Sequence, residues 1–174
     1  PVGWDYTKSY IIADYDPTIA VISIASSWTD LNILHNFPQE RGREWERPAD
    51  LTYVAADREN GFQTGAGVRM HGGWTRFFSN KKSLRLYFRE IYGAAKLAYP
   101  LFGDEGQIAF DNLILHNSSR DMLLFKNQLV ERLSRQMGGY ETRSQPVLFF
   151  INGRPWGIYQ IRERIDRRLL EQNY

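Results

Sequence analysis

The dipeptide Asn152-Gly153 limits the fold of this chain more than any other short segment. Asn-Gly is the pair that most readily adopts positive φ angles at both central positions of a two-residue hairpin turn. The runs on either side, PVLFFI and RPWGIYQI, are rich in the β-branched and aromatic residues that favour strands. The sequence therefore predicts an antiparallel hairpin made of strands Pro146–Ile151 and Trp156–Arg162.

One long helix is predicted just before this hairpin, over Asp121–Met137. Its apolar side chains follow the 3.6-residue period of an α-helix, at Met122, Phe125, Leu129, Val130, Leu133 and Met137. Ser118 and Asp121 can cap its first turn, and the Gly138-Gly139 pair ends it.

Short apolar runs predict the remaining elements. Further strands are expected at Ile19–Ile24, Leu51–Ala55, Gly67–Met70, Lys82–Phe88 and Leu113–His116. A second helix is predicted to begin at Asp166 and to continue through Leu169 and Leu170. Strands followed by one long helix and a hairpin favour an α+β fold, a mostly antiparallel sheet with the long helix packed on one face. At 174 residues the chain is expected to form about one domain.

Several classes of protein are disfavoured by composition. The chain contains no cysteine, which excludes disulfides, thiolate metal sites and cysteine nucleophiles. Its three histidines, His35, His71 and His116, have no partner at the i+3 or i+4 position, so no metal site is predicted from them. The apolar runs are far shorter than the roughly 20 residues of a membrane-spanning helix. A net charge of +2 gives no general reason to expect a nucleic-acid partner.

One stretch, between Asn60 and Arg89, is cationic and rich in glycine, and it contains no Asp or Glu. It holds Arg69, Arg76, Lys81, Lys82, Arg85 and Arg89, together with Gly61, Gly65, Gly67, Gly72 and Gly73. Backbone N–H groups at glycines and cationic side chains form anion sites. A solvated basic face with ordinary turns explains the same pattern, so both readings stay open. Nucleic-acid binding would depend on this block alone.

Lys82 is the most informative cation of this stretch. In a strand, Lys82, Leu84 and Leu86 share the apolar side, because side chains alternate between faces. A lysine there either extends to the strand end or meets an anion, since a buried unpaired ammonium is costly. The pattern thus leaves two roles for Lys82, a snorkelling side chain or a phosphate ligand.

The end of the hairpin offers two acids, Glu163 and Asp166. Glu163 falls on the side of Tyr159 and Ile161, where the strand gives way to the predicted helix. Helix capping and ion pairs with nearby arginines account for both acids. A carboxylate pair for glycoside hydrolysis is disfavoured, because acids so close in sequence rarely reach the separation needed across a sugar.

Several segments together resemble the CotH (spore-coat protein H) kinase-like family, over about Ile19 to Tyr174. The matching runs are GVRMHGGWTR from Gly67, KKSLRL from Lys81, REIYG from Arg89, PLF from Pro100, LILHN from Leu113 with Asp121, FING from Phe150, and WGIY followed by RERID from Trp156 to Asp166. No single run is diagnostic, but their order and spacing are specific.

The resemblance implies an atypical protein kinase that uses ATP and a divalent metal such as Mg²⁺ to phosphorylate Ser or Thr of secreted or cell-surface proteins. By this likeness, the turn from His71 to Arg76, including Gly72 and Gly73, would be a phosphate-side loop. Lys81 or Lys82 would hold the α- and β-phosphates, and alternation favours Lys82. The stretch from Ile161 to Ile165, with Glu163, would be the hinge that meets adenine.

The same resemblance implies a division of the chain. Residues 1–18 would be an N-terminal extension, 19–165 a kinase-like small lobe with the long helix as its regulatory helix, and 166–174 the start of a helix leading into a larger lobe. The base and metal-binding Asp residues would belong to that lobe, so no catalytic residue is assigned here and the chain alone is expected to be inactive.

Two questions stay open at this point. Glu131 lies opposite the apolar side of its helix, so it is not expected to pair with the lysine, and Glu163 and Glu141 remain as partners. The alternative function is a non-catalytic, pseudokinase-like surface module that binds an acidic or carbohydrate partner.

Overall fold

A closed β-barrel is the main feature of the computed structural model, which describes residues 18–103, 108–119, 121, 123–139 and 142–165. The elements are β1 (Ala20–Ala25), α1 (Trp28–Asn36), β2 (Arg47–Val54), β3 (Gly61–His71), α2 (Thr75–Phe78), β4 (Ser83–Tyr87), β5 (Leu97–Ala98), β6 (Ala109–Phe110), β7 (Asn112–His116), α3 (Lys126–Gln136), β8 (Ser144–Ile151) and β9 (Arg154–Arg162). A single 3₁₀ turn, Arg43–Trp45, precedes β2.

Seven strands close the barrel in the order β1-β2-β3-β4-β7-β9-β8, and β5 and β6 form a separate ribbon. All neighbours in the barrel are antiparallel except β1 and β8, which pair in parallel from Ala20 with Val147 to Ile24 with Ile151. This parallel pair joins the two edges of the sheet. Closure leaves no free edge strand in the barrel.

The barrel interior is the hydrophobic core. Alternate side chains of each strand point inward and are almost fully buried, including Ile22, Leu51, Val68, Leu86, Leu115, Phe149, Tyr159 and Ile161. Burying a side chain of this size contributes roughly 1.5–3 kcal/mol. The core is thus made by strands of the barrel facing one another.

The predicted α+β fold with one long packed helix is wrong. The described chain is mostly strand, and α3 spans only Lys126–Gln136 with no buried residue. Its polar side contacts the barrel: the Gln128 amide donates to Gln160 at 2.7 Å, and Glu131 pairs with Arg162 at 2.5 Å. Because strand side chains already fill the barrel, the apolar side of α3, including Leu133, faces outward.

The hairpin and the C-terminal end of the helix agree with the sequence. However, α3 begins at Lys126, later than the predicted Asp121, and its N-cap residue Phe125 makes no side-chain cap. Asn152 and Gly153 connect β8 to β9 with φ angles of 49° and 75°, as a two-residue Asn-Gly turn requires. Asp121 accepts a hydrogen bond from the N–H of Lys126 at 2.6 Å, at the start of α3. Gly138, at φ 82°, follows its last turn.

Other predictions were incomplete or lie outside the described residues. The helix α1 was not predicted, and β2 and β3 begin several residues earlier than expected. The helix from Asp166 through Leu169 and Leu170, the lysine partner Glu141, and all of the 1–18 extension except Thr18 fall outside the described residues. In the described part of the chain, no helix is long and apolar enough to span a membrane.

Candidate functional site

The connection between β3 and β4 contains a turn at Gly72 and Gly73, here called the glycine turn, and the short helix α2. Gly72 has a φ of 103°, a conformation that L side chains rarely adopt, so the chain requires glycine there. A Cβ at Gly73 would meet nothing within 4 Å, so the backbone of this residue faces open space. The turn thus presents accessible backbone at one end of the barrel.

Lys82 reaches back to this turn. It precedes β4 in phase with Leu84 and Leu86, which face the barrel interior. Its ammonium donates a hydrogen bond to the backbone carbonyl of Arg76. Partial burial lowers the pKa of Lys82. The ammonium therefore lies beside the turn, as expected of either a snorkelling lysine or a phosphate ligand.

Lys81 turns toward β9 instead. Its ammonium donates to the carbonyl of Ile158 at 2.5 Å and lies 4.7 Å from the centre of the Tyr159 ring. Burial lowers the pKa of Lys81 as well. Among the residues that the structure describes, neither lysine forms an ion pair with a carboxylate. Both ammonium groups bind neutral carbonyl oxygens.

Arg76 is buried and holds the turn against the barrel. Its guanidinium donates to the carbonyls of Pro38 at 3.1 Å, Glu40 at 3.3 Å and Met70 at 2.8 Å. Its Nε is buried without a hydrogen-bond partner in the described structure. Burial lowers the pKa of Arg76. Its hydrogen bonds hold the loop geometry, and the phosphate-binding role that the resemblance implies for Arg76 stays a prediction.

Glu163 and Ile161 lie away from the turn. The Glu163 carboxylate accepts from the guanidinium of Arg143 at 2.6 Å and from its backbone N–H at 2.9 Å. Ile161 is fully buried and pairs with β7 and β8 on its two sides. Tyr159 on β9 contacts Lys82 through its hydroxyl group. Glu163 lies four residues further along the chain, which is about 13 Å in an extended strand. The structure thus does not place Glu163 beside Lys82, and the hinge role of this segment stays a prediction.

A comparison with protein families finds one model, CotH kinase protein, which matches residues 68–174. The matched part is well over half of the chain and contains the glycine turn, both lysines and the hairpin. The chain belongs to the CotH kinase family. No curated protein matches the chain.

Two residues of this CotH site were not singled out from the sequence. The Asn117 side-chain amide donates to the carbonyl of Lys81, and its backbone N–H donates to the Ser83 hydroxyl at 3.0 Å. The Tyr159 hydroxyl donates to the carbonyl of Lys82 at 2.9 Å. These bonds fix the backbone of both lysines. Only the register of β4, β7 and β9 reveals them, because Asn117 and Tyr159 are distant from the lysines in sequence.

Two histidines lie near the same end of the barrel. Burial, with help from the charges of Arg85 and of His116, lowers the pKa of His71 to about 4. Burial also lowers the pKa of His116, whose ring nitrogen contacts Ser118. Both rings are therefore neutral at pH 7. The prediction of no histidine metal site stays a prediction, and the described residues contain no cluster of three or more His, Asp or Glu arranged for a metal.

Proposed function

We propose that this chain is the nucleotide-binding part of a CotH kinase that transfers the γ-phosphate of ATP to a Ser or Thr hydroxyl of a secreted or cell-surface protein. Family membership supports the class of reaction. The observation that carries the assignment of the site is the ammonium of Lys82 at the glycine turn. Phosphoryl transfer depends mainly on positioning and charge stabilisation, which a lysine and backbone N–H groups provide.

The residues at the turn fit a phosphate group. A phosphate oxygen is a charged acceptor and binds an ammonium more strongly than the Arg76 carbonyl does. The open space at Gly73 leaves room for an oxyanion near the backbone. Asn117 and Tyr159 hold the lysine backbone, so a bound triphosphate would meet a largely preformed site. In this proposal Lys82 holds the phosphates, and Arg76 keeps the turn in place.

The described residues do not provide a binding site for Mg²⁺. In the part of the chain that the structure describes, no group of carboxylates is arranged as a metal ligand set. Mg²⁺ in kinases is held by carboxylates together with phosphate oxygens. We therefore assign no metal ligand and no catalytic base among these residues.

The first test is ATP binding by the intact protein, measured by calorimetry with three variants. Lys82→Gln is expected to weaken ATP binding by about tenfold or more, because a charge-assisted hydrogen bond to phosphate is lost. Lys81→Gln is expected to have a smaller effect, since Lys81 points to Ile158. Lys96→Gln, which removes an exposed charge elsewhere, serves as the matched control. Unchanged ATP binding in both Lys82→Gln and Lys81→Gln would refute the site.

A second candidate is a non-catalytic surface module for an acidic or carbohydrate partner. It is favoured by three exposed aromatic residues beside the turn, Trp74, Phe77 and Phe78. The rings of Trp74 and Phe78 lie 3.9 Å apart, and Trp74 is 62% exposed. Binding of an acidic polysaccharide that is lost in Trp74→Ala, in a protein that binds no ATP, would favour the module over the kinase.

A further inference from the structure

The helix α3 is attached to the barrel by its polar side. The Gln128 amide donates to the Gln160 side chain at 2.7 Å, and the Glu131 carboxylate accepts from Arg162 at 2.5 Å. Gln128 and Glu131 are three residues apart, so they lie on one side of the helix. Rolling α3 to bury its other side would break both contacts. The side of α3 that faces away from the barrel is therefore fixed.

This outward face of α3 is apolar. Leu129, Val130, Leu133 and Met137 follow the helical period along it, and each is at least half exposed, Met137 to 87%. The apolar row begins at Phe125, immediately before the helix, which is 49% exposed. Contiguous exposed apolar side chains of this kind mark a surface that contacts a protein or a membrane.

Positive charges accompany the outward face. Lys126 lies on the same side of the helix, three residues before Leu129, and Arg132 lies beside Leu129 at the edge of the face. Both cations are exposed. The only acid in the sequence from Leu123 to Gly139 is Glu131, whose carboxylate is paired on the barrel side. The face therefore suits a surface that is both apolar and negatively charged.

The size of the outward face favours a membrane surface over a folded partner. An 11-residue helix is about 16 Å long and 10–12 Å wide, so one side presents roughly 200 Å². Stable protein interfaces bury about 800 Å² on each partner. A second copy of the chain would also bring its own Lys126 and Arg132 against these cations. A bilayer needs no such area, because a few apolar side chains with basic neighbours bind it reversibly.

We propose that α3 binds the surface of a membrane rich in anionic phospholipids through its outward face. Leu129, Leu133 and Met137 enter the boundary between the head groups and the acyl chains. Lys126 and Arg132 have long aliphatic stems, which let their charged ends reach the lipid phosphates. The apolar and the electrostatic contributions act together, since either alone is weak. This proposal does not depend on nucleotide binding at the glycine turn.

The test is sedimentation of the protein with two kinds of vesicle. One is made of phosphatidylcholine alone, and the other of equal parts of phosphatidylcholine and phosphatidylglycerol. The partition coefficient is expected to be about tenfold or more higher for the anionic vesicles, because basic side chains are attracted to an anionic surface. It should decrease as salt is added. No binding to the anionic vesicles, or equal binding to both kinds, would overturn the proposal.

Substitutions on the apolar row test whether the outward face makes the contact. Leu129→Gln and Leu133→Gln together are expected to lower the partition coefficient by about tenfold or more, because less apolar surface leaves water. The protein should stay folded, since both side chains are half exposed. Ile91→Gln, an equally exposed apolar position on the loop after β4, is the matched control. Self-association that the leucine substitutions abolish, without vesicle binding, would assign the face to a second copy and contradict the proposal.

A charge substitution tests the electrostatic part. Lys126→Gln is expected to weaken binding to anionic vesicles by about fivefold. Lys96→Gln, which removes an exposed charge elsewhere, should change it less than about twofold. Equal losses in Lys96→Gln would show a general attraction of the whole protein and would contradict the proposal. Loss only in Trp74→Ala would also contradict it, by placing the lipid at the exposed rings beside the glycine turn.

Discussion

The guanidinium of Arg76 is held by three backbone carbonyls, whereas the ammonium of Lys82 meets one. Lys82 can exchange its one neutral acceptor for a phosphate oxygen at little cost. The same exchange at Arg76 would break its hydrogen bonds to the loop at Pro38 and Glu40 and to β3 at Met70. The family resemblance placed both cations on the phosphate side of the predicted site. The contacts support a structural role for the arginine and leave the lysine able to bind a phosphate, as proposed above.

The lowered pKa of His71 predicts a pH-dependent stability. Its folded value of about 4 lies below the unfolded value of 6.5, so the unfolded chain binds a proton first as the pH falls. The free energy of unfolding should thus be unaffected above about pH 6.5 and should decrease toward pH 4, by about 1–2 kcal/mol because the ring keeps some solvent contact. Urea denaturation at pH 7.5 and pH 5 measures this difference.

A matched pair of variants isolates the contribution of this ring. His71→Gln cannot be protonated and should lose part of the pH dependence, while His116 retains its own share. His35→Gln, on the exposed surface of α1, should behave as the wild type. The same pH dependence in wild type and His71→Gln would show that His71 is not the group involved.

At the scale of elements, α3 exposes the side that its sequence predicts to be buried. Leu133 on this helix is 50% exposed, whereas Leu115 in β7 is fully buried. Leu133→Gln is expected to change the free energy of unfolding by less than about 0.5 kcal/mol, and Leu115→Ala to lower it by about 2–5 kcal/mol. Denaturant titration of the two variants checks the contrast. A large decrease in the free energy of unfolding of Leu133→Gln would show instead that the apolar side of α3 is packed.

Some features of the elements could be predicted from the sequence, and others could not. The Asn152-Gly153 turn and the end of α3 at Gly138 were predictable, because they depend on φ angles that only a few residues adopt. The packing of α3 was not predictable, since periodicity shows an apolar side but not what covers it. Lys82 was found by alternation, while Asn117 and Tyr159 required the pairing of strands distant in sequence.

At the scale of the whole molecule, the fold class depends on one pairing between strands far apart in the chain. β1 and β8 are joined in parallel, although more than a hundred residues separate them. Each strand reads as an ordinary apolar run, so nothing local distinguishes an open sheet from a closed barrel. The long helix was predicted on one face of the sheet from the order of elements, which does not reveal this pairing.

Asn152 connects the hairpin to the first strand and supports this closure. Its side chain accepts from the Ser26 N–H and donates to the Ser26 carbonyl, both at 2.9 Å. Asn152→Gly keeps the positive φ but removes both bonds, and it should lower the free energy of unfolding by about 1–2 kcal/mol. Asn152→Ala should cost more, because alanine is strained at this φ. Thermal and urea denaturation measure both losses, and wild-type stability in Asn152→Gly would contradict the role.

In the proposed function, the ammonium of Lys82 lies at the glycine turn to hold a triphosphate. The most direct test of this role is the ratio of ATP affinity to adenosine affinity, measured by calorimetry in the wild type, Lys82→Gln and Lys96→Gln. We expect Lys82→Gln to lower this ratio by about tenfold or more with adenosine affinity unchanged, and Lys96→Gln to leave the ratio as in the wild type. An unchanged ratio in Lys82→Gln would show that Lys82 does not bind the phosphates.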